Sequence, residues 1–122
     1  MIISGWGNFP RINSHQVFPS NLEELIKLTK KFNSSYIPRG MGRSYGDSSL
    51  ALNSINLSKY NKILNFDQDS GLLTCESGAT INKIIEYILK KGWFFPVIPG
   101  SKHVSIGGAI SSDVHGKNHH QV

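Results

Sequence analysis

One cysteine in 122 residues excludes more than it permits. Cys75 has no intrachain disulfide partner and cannot build a cysteine-based zinc site. Its setting, Leu72-Leu73-Thr74-Cys75-Glu76, reads as a strand, where a lone thiol serves as a small buried hydrophobe. No apolar run is long enough to span a bilayer. Met1-Ile2-Ile3-Ser4 lacks both the basic start and the long apolar stretch of a secretory signal, so cytoplasmic residence is expected, with a peripheral position at a membrane left open. Positive charge is in excess, thirteen Lys and Arg against eight Asp and Glu. It is scattered, however, with no basic run longer than Lys30-Lys31 or Lys90-Lys91, and a nucleic-acid partner is not expected.

The pattern that remains is that of an α+β domain. Gln16-Val17-Phe18 reads as a short strand. Ser20 with Glu23 makes a capping box for a helix whose stripe is Leu22, Leu25, Ile26, Thr29 and Phe32. Asn33-Ser34-Ser35 ends it, and Tyr36-Ile37-Pro38 leads into a glycine loop at the carboxyl end of the second strand. Ile55-Asn56-Leu57 is a further strand. Ile63–Asp67 and Leu72–Glu76 form a hairpin about Gln68-Asp69-Ser70-Gly71. A second helix is predicted from about Thr80 to Lys91, with Ile81, Ile84, Ile85, Ile88 and Leu89 on one face and Gly92 as its stop. Phe94-Phe95-Pro96-Val97 is expected to be extended and to lead into a second glycine segment. The chain is expected to be the amino-terminal piece of a longer protein.

The two glycine segments carry the chemistry. The first is Pro38-Arg39-Gly40-Met41-Gly42-Arg43-Ser44-Tyr45-Gly46-Asp47-Ser48. It fits neither the Rossmann fingerprint, because its sixth position is Tyr45, nor the Walker pattern, because no Gly-Lys-Ser/Thr follows. What it offers is a run of backbone donors flanked by Arg39 and Arg43, with hydroxyls at Ser44 and Tyr45, a set suited to a pyrophosphate. A tight structural turn is the competing reading. The second segment runs from Pro99-Gly100 to His119-His120. Ser105 can cap a short helix opening at Ile106-Gly107-Gly108, whose amides would then face a phosphate or carbonyl. Gly107 and Gly108 also permit close approach of a flat ring or another helix. A metal at His115, His119 and His120 competes with ordinary surface histidines, which the poor helix formers Gly116 and Asn118 favour.

Together, Arg39 to Asp47 and Pro99 to His120 resemble the PCMH-type FAD-binding domain of the vanillyl-alcohol-oxidase superfamily, in its decaprenylphosphoryl-ribose 2′-oxidase-like branch. Gly5-Trp6-Gly7 is similar to the way those enzymes begin. The resemblance implies that residues 1–122 form the first subdomain and the start of the second of a non-Rossmann fold that binds FAD in a cleft, the remainder and the cap domain lying outside this sequence. Pro38 to Ser48 would wrap the pyrophosphate. Gly100, Ser105, Ile106, Gly107 and Gly108 would line the rest of the cofactor path, and His115, Gly116, Lys117 and Asn118 the flavin end. Many relatives attach flavin through a histidine that precedes the loop serine. Arg43 stands there before Ser44, which implies non-covalent FAD.

The activity so implied is oxidation of an alcohol to a ketone, on the 2′-hydroxyl of a polyprenyl-phosphate-linked ribose, with an NADH-dependent reductase as partner. Sugar-lactone or alditol oxidation is the alternative within the superfamily. A non-catalytic nucleotide-binding or assembly piece is the alternative outside it. No catalytic base is assigned; Tyr45, Lys117 and His119 are polar candidates better suited to cofactor or structural contacts.

Overall fold

The computed structural model describes residues 1–32 and 35–116, which fall into two compact units, 1–60 and 61–122. In the first, β1 (Ile2–Ser4) and β2 (Arg11–Asn13) make an antiparallel hairpin with Ile3 opposite Ile12. The Phe9–Pro10 peptide in its turn is cis. A parallel three-stranded sheet follows, built from β3 (His15–Val17), β4 (Ile37–Arg39) and β5 (Asn53–Asn56) in the order β3-β5-β4. Helix α1 (Leu22–Phe32) is the crossover from β3 to β4, which run parallel on either side of β5. Residues 40–52 then return the chain to the central strand. The interior of this unit is partly polar: Ser14 and Ser54 are buried and share a hydrogen bond of 3.3 Å.

The cap of α1 lies one residue later than the sequence predicts. Asn21 Oδ1 accepts from the Glu24 amide, and the Glu24 carboxylate reaches back to the Ser20 amide and hydroxyl at 2.8 and 3.0 Å. These bonds hold the Glu24 carboxyl below its ordinary range. Glu23, displaced from the capping role, pairs instead with Lys27 one turn on. Leu25 is half-buried while Leu22 and Ile26 are exposed, so the predicted stripe is only partly covered. The side chain of Phe32 and residues Asn33-Ser34 lie outside the described set.

The second unit is an antiparallel hairpin, β6 (Ile63–Phe66) and β7 (Leu73–Cys75), packed with α2 (Ile81–Leu89). Asp67 closes the hairpin turn: its carboxylate accepts from the Ser70 hydroxyl at 2.6 Å and the Asp69 amide at 3.0 Å. Gly71 there has φ +75°, and a Cβ on it would lie 2.5 Å from the Trp93 ring, so only glycine lets the indole close over the turn. Thr80 caps α2 by accepting from the Lys83 amide. Ala79, Ile84 and Ile88 form the core, with Phe66, Leu73, Cys75, Phe95 and Ile106 packed around them. Gly92, at φ +81°, ends the helix where expected, and the Trp93 amide folds back on the Ile88 carbonyl at 3.1 Å.

Phe94–Val97, predicted to be extended, is not a strand. No neighbouring ladder receives it, and Pro96 has no amide to contribute. Phe95 instead packs its ring on the α2 core. Among the described residues no helix is long and apolar enough to cross a membrane. Ile84, 1% exposed, is the deepest large side chain. Ile84→Ala is therefore expected to cost about 2–5 kcal/mol in urea unfolding followed by far-ultraviolet circular dichroism. A loss below about 1 kcal/mol would contradict this packing.

Candidate cofactor loop and its support

The first glycine loop starts where β4 ends. Arg39 within it is buried, only 9% exposed, and both terminal nitrogens of its guanidinium are engaged by protein. Nη1 donates to the carbonyl and hydroxyl oxygens of Ser49, both at 3.0 Å, and Nη2 donates to the Ser4 carbonyl at 2.8 Å. Burial pulls its pKa down from the ordinary value, yet an arginine remains charged at neutral pH. Arg39 thus stands inside the loop as a post, where the sequence suggested a donor beside Arg43.

Gly42 is explained by that post. Its φ is +66°, and a Cβ would lie 2.4 Å from Arg39 Nη2. Gly46, at φ +59°, meets open space and needs glycine for its backbone conformation alone. The loop is held from a second side by the segment after β1. The Trp6 amide donates to the Ser44 carbonyl at 3.0 Å, and a Cβ on Gly5 would lie 2.7 Å from the carbonyl oxygens of both Ser44 and Gly46.

The outward side of the loop is different. Among the described residues, no protein acceptor meets the amides of Met41, Gly42, Arg43, Ser44, Tyr45 or Gly46. Arg43 and Tyr45 are exposed, and Tyr45 packs edge-on against Trp6 with ring centroids 5.7 Å apart. Pro38 and Met41 are also exposed, Gly40 is half-buried, and the Ser48 hydroxyl turns back to the Tyr45 carbonyl. The Asp47 carbonyl closes the far end by accepting from the Leu50 amide. A rigid loop presenting amide donors beside one exposed guanidinium suits an anion with several oxygens. The donor set therefore fits the pyrophosphate of FAD.

The second segment meets only part of the expectation. Ser105 does cap α3 (Ile106–Ser111), its hydroxyl accepting from the Gly108 amide at 3.2 Å. The amides of Ile106 and Gly107, predicted to face a ligand, donate instead to the Ala79 and Ser77 carbonyls at 2.8 and 2.9 Å. Gly107 is small because the Ser77 backbone passes there: a Cβ would lie 3.0 Å from the Ser77 carbonyl oxygen and 2.9 Å from its Cβ. The close approach allowed by this glycine is taken up by the chain itself. Gly100 faces open space, His115 is exposed and Gly116 is buried. Lys117, Asn118, His119 and His120 lie outside the described residues.

A shallow cavity of about 350 Å³ in the second unit is lined by Leu73, Thr74, Cys75, Ser77, Ile106, Gly107 and Ile110. Another of about 390 Å³ in the first lies between Val17–Pro19 and α1. Neither includes a residue of the glycine loop. Ser4, Gly5 and Ser49, which shape that loop, were not visible in the sequence as site residues. No local pattern marks Ser4 or Ser49, because their partner Arg39 is 35 and 10 residues away from them, and Gly5 stood out only within Gly5-Trp6-Gly7.

The profile of the FAD binding domain matches residues 15–122. The chain belongs to the FAD-binding-domain family. Its fold is the PCMH-type α+β fold of that family, shared with cholesterol oxidase from B. sterolicum at a TM-score of 0.81 and 17% identity over 94% of the chain. The sequence is 32% identical over 126 residues to decaprenylphosphoryl-beta-D-ribose oxidase of Mycolicibacterium smegmatis. It is 28% identical over 107 residues to mitochondrial D-2-hydroxyglutarate dehydrogenase of Arabidopsis thaliana. These alignments include 97% and 82% of this FAD-binding chain but span only 27% and 19% of the two enzymes.

Cys75 in the second unit is half-buried, and burial followed by the neighbouring Glu76 charge pushes its thiol pKa up. Thiolate is the reactive form, so at pH 7 alkylation by iodoacetamide is expected to run at least about tenfold slower in the folded chain than in urea. Equal rates would place Cys75 in an open, unperturbed setting.

Proposed function

We propose that this chain supplies the pyrophosphate-binding part of an FAD-dependent oxidoreductase, residues 1–122 being the amino-terminal portion of its cofactor domain. The observation that carries this reading is the row of amides at 41–46 that meet no protein acceptor among the described residues, beside Arg43, on a loop tied to Ser4 and Trp6. Pro38–Ser48 hold and orient the cofactor's phosphates in this reading. Arg39 and Gly42 act by shaping the loop, while Arg43, Ser44 and Tyr45 supply side-chain donors. Gly100 and Gly108 border the remaining path in this reading, Ser105, Ile106 and Gly107 support it through their bonds to the chain, and His115, Gly116, Lys117 and Asn118 approach the flavin end. When bound, FAD supplies the hydride acceptor for alcohol oxidation; the chain's part is binding and orientation. Attachment is non-covalent, since Arg43 rather than a histidine precedes Ser44.

For the substrate we infer the 2′-hydroxyl of a polyprenyl-phosphate-linked ribose, oxidised to a ketone and then reduced by an NADH-dependent partner, in the cytoplasm or at the membrane surface. The 32% identity to decaprenylphosphoryl-beta-D-ribose oxidase across nearly the whole chain favours this. A sugar-lactone oxidase is the second reading, favoured by 24% identity over 98 residues to a putative D-arabinono-1,4-lactone oxidase of Neurospora crassa. Turnover of the prenyl-linked ribose by the complete protein, without turnover of the lactone, separates the two.

The cofactor is tested by the visible spectrum of the purified complete protein before and after acid precipitation. Flavin bands that move to the supernatant are expected. Flavin retained in the pellet would overturn non-covalent attachment. No flavin, even after titration with FAD, would overturn the cofactor reading in favour of a non-catalytic piece. Arg43→Ala is expected to weaken FAD binding about tenfold, the loss of roughly 1.5 kcal/mol typical of a hydrogen bond to a charged group. Unchanged affinity would remove Arg43 from the phosphate site.

A further inference from the structure

We propose that the amino-terminal hairpin, residues 1–14, is a brace that sets the shape of the cofactor loop, with Arg39 as the positioning residue that joins them. The family match begins only at residue 15, so these residues lie outside the region it accounts for. They nevertheless touch the loop at two separate places. Ser4 receives Arg39 Nη2 on its carbonyl at 2.8 Å, and the Trp6 amide takes the Ser44 carbonyl at 3.0 Å. Between these contacts Gly5 lies so close to the loop that a Cβ would sit 2.7 Å from two of its carbonyl oxygens.

The consequence is directional. The Ser44 and Gly46 carbonyls face the hairpin while the amides of residues 41–46 meet no protein acceptor among the described residues, and a trans peptide unit places its N–H and C=O on opposite sides. Drawing the Ser44 carbonyl onto Trp6 therefore turns the next amide away from the hairpin. Arg39 fixes the other side of the same loop by binding Ser4 and both oxygens of Ser49 with one planar fork. A lysine there keeps the charge but carries its three donors on one nitrogen and lacks the planar fork that reaches Ser4 and Ser49 from two. The proposal rests on the pyrophosphate reading for what the loop binds, though the brace itself is a matter of backbone geometry.

The test uses the complete protein and two readouts. FAD affinity is taken from quenching of flavin fluorescence, and loop order from the rate of tryptic cleavage after Arg43 in the FAD-free protein. Gly5→Ala and Arg39→Lys are each expected to weaken FAD binding on the order of tenfold and to accelerate that cleavage several-fold, with the far-ultraviolet spectrum unchanged. Ser49→Ala, which removes one acceptor of the fork, is the milder variant should either fail to fold, and a two- to threefold effect of the same sign is expected. Parental affinity and cleavage in all the folded variants would overturn the brace while leaving the cofactor reading intact. An Arg39→Lys variant with parental affinity would overturn the assignment of Arg39 as a fork. A parent protein that binds no FAD would overturn the cofactor reading and, with it, a brace for a cofactor loop; the proteolysis readout keeps the two failures apart.

Discussion

A buried guanidinium must find acceptors for its donors or forfeit the solvation it had in water, and Arg39 places three of its five on protein oxygens. Its partners come from the end of β1 and from the residues before β5, so one side chain ties three stretches of chain that are distant in sequence. The positive-φ turn at Gly42 is a result of the same requirement, because the space beside the guanidinium admits no Cβ. A loop without internal ladder bonds would otherwise sample many conformations, and an anion site of backbone amides is only as selective as its geometry is fixed.

The second unit is organised by a different rule. Its core is a short apolar face on α2, and every element around it is placed to cover that face or to satisfy the backbone that does so. The carbonyls of Ser77 and Ala79, left over where the hairpin ends and α2 begins, are met by the first amides of α3. The short helix is thereby stitched to the start of the long one, and Thr80 and Ser105 pair as an isolated bridge beside the seam. Gly107 is small for that reason.

Much of this was legible in the residues. The isoleucine spacing of α2, the stop at Gly92, the Ser105 cap and the Asp67 to Gly71 turn all follow from patterns confined to one turn or one helix face. The cap of α1 was misplaced by one residue because Ser20 and Asn21 are both competent, and only the reach of Glu24 decides between them. The destination of donors was not legible. Arg39 and Arg43 are alike in sequence, one buried against carbonyls and the other exposed, and nothing local distinguishes them. The amides opening α3 likewise looked available, since the carbonyls that take them lie nearly thirty residues back.

The strand order β3-β5-β4 has a consequence for how such a chain comes into being. Neither outer strand hydrogen-bonds to the other; each pairs only with β5, the last of the three in sequence. Until β5 is made as the filler between them, β3 and β4 have no partner in this sheet. The segment that delivers the filler is the glycine loop itself, and it can take its final shape only once β5 has been threaded between its neighbours. The shape of the loop and the closure of the sheet are therefore coupled, because one stretch of chain serves both.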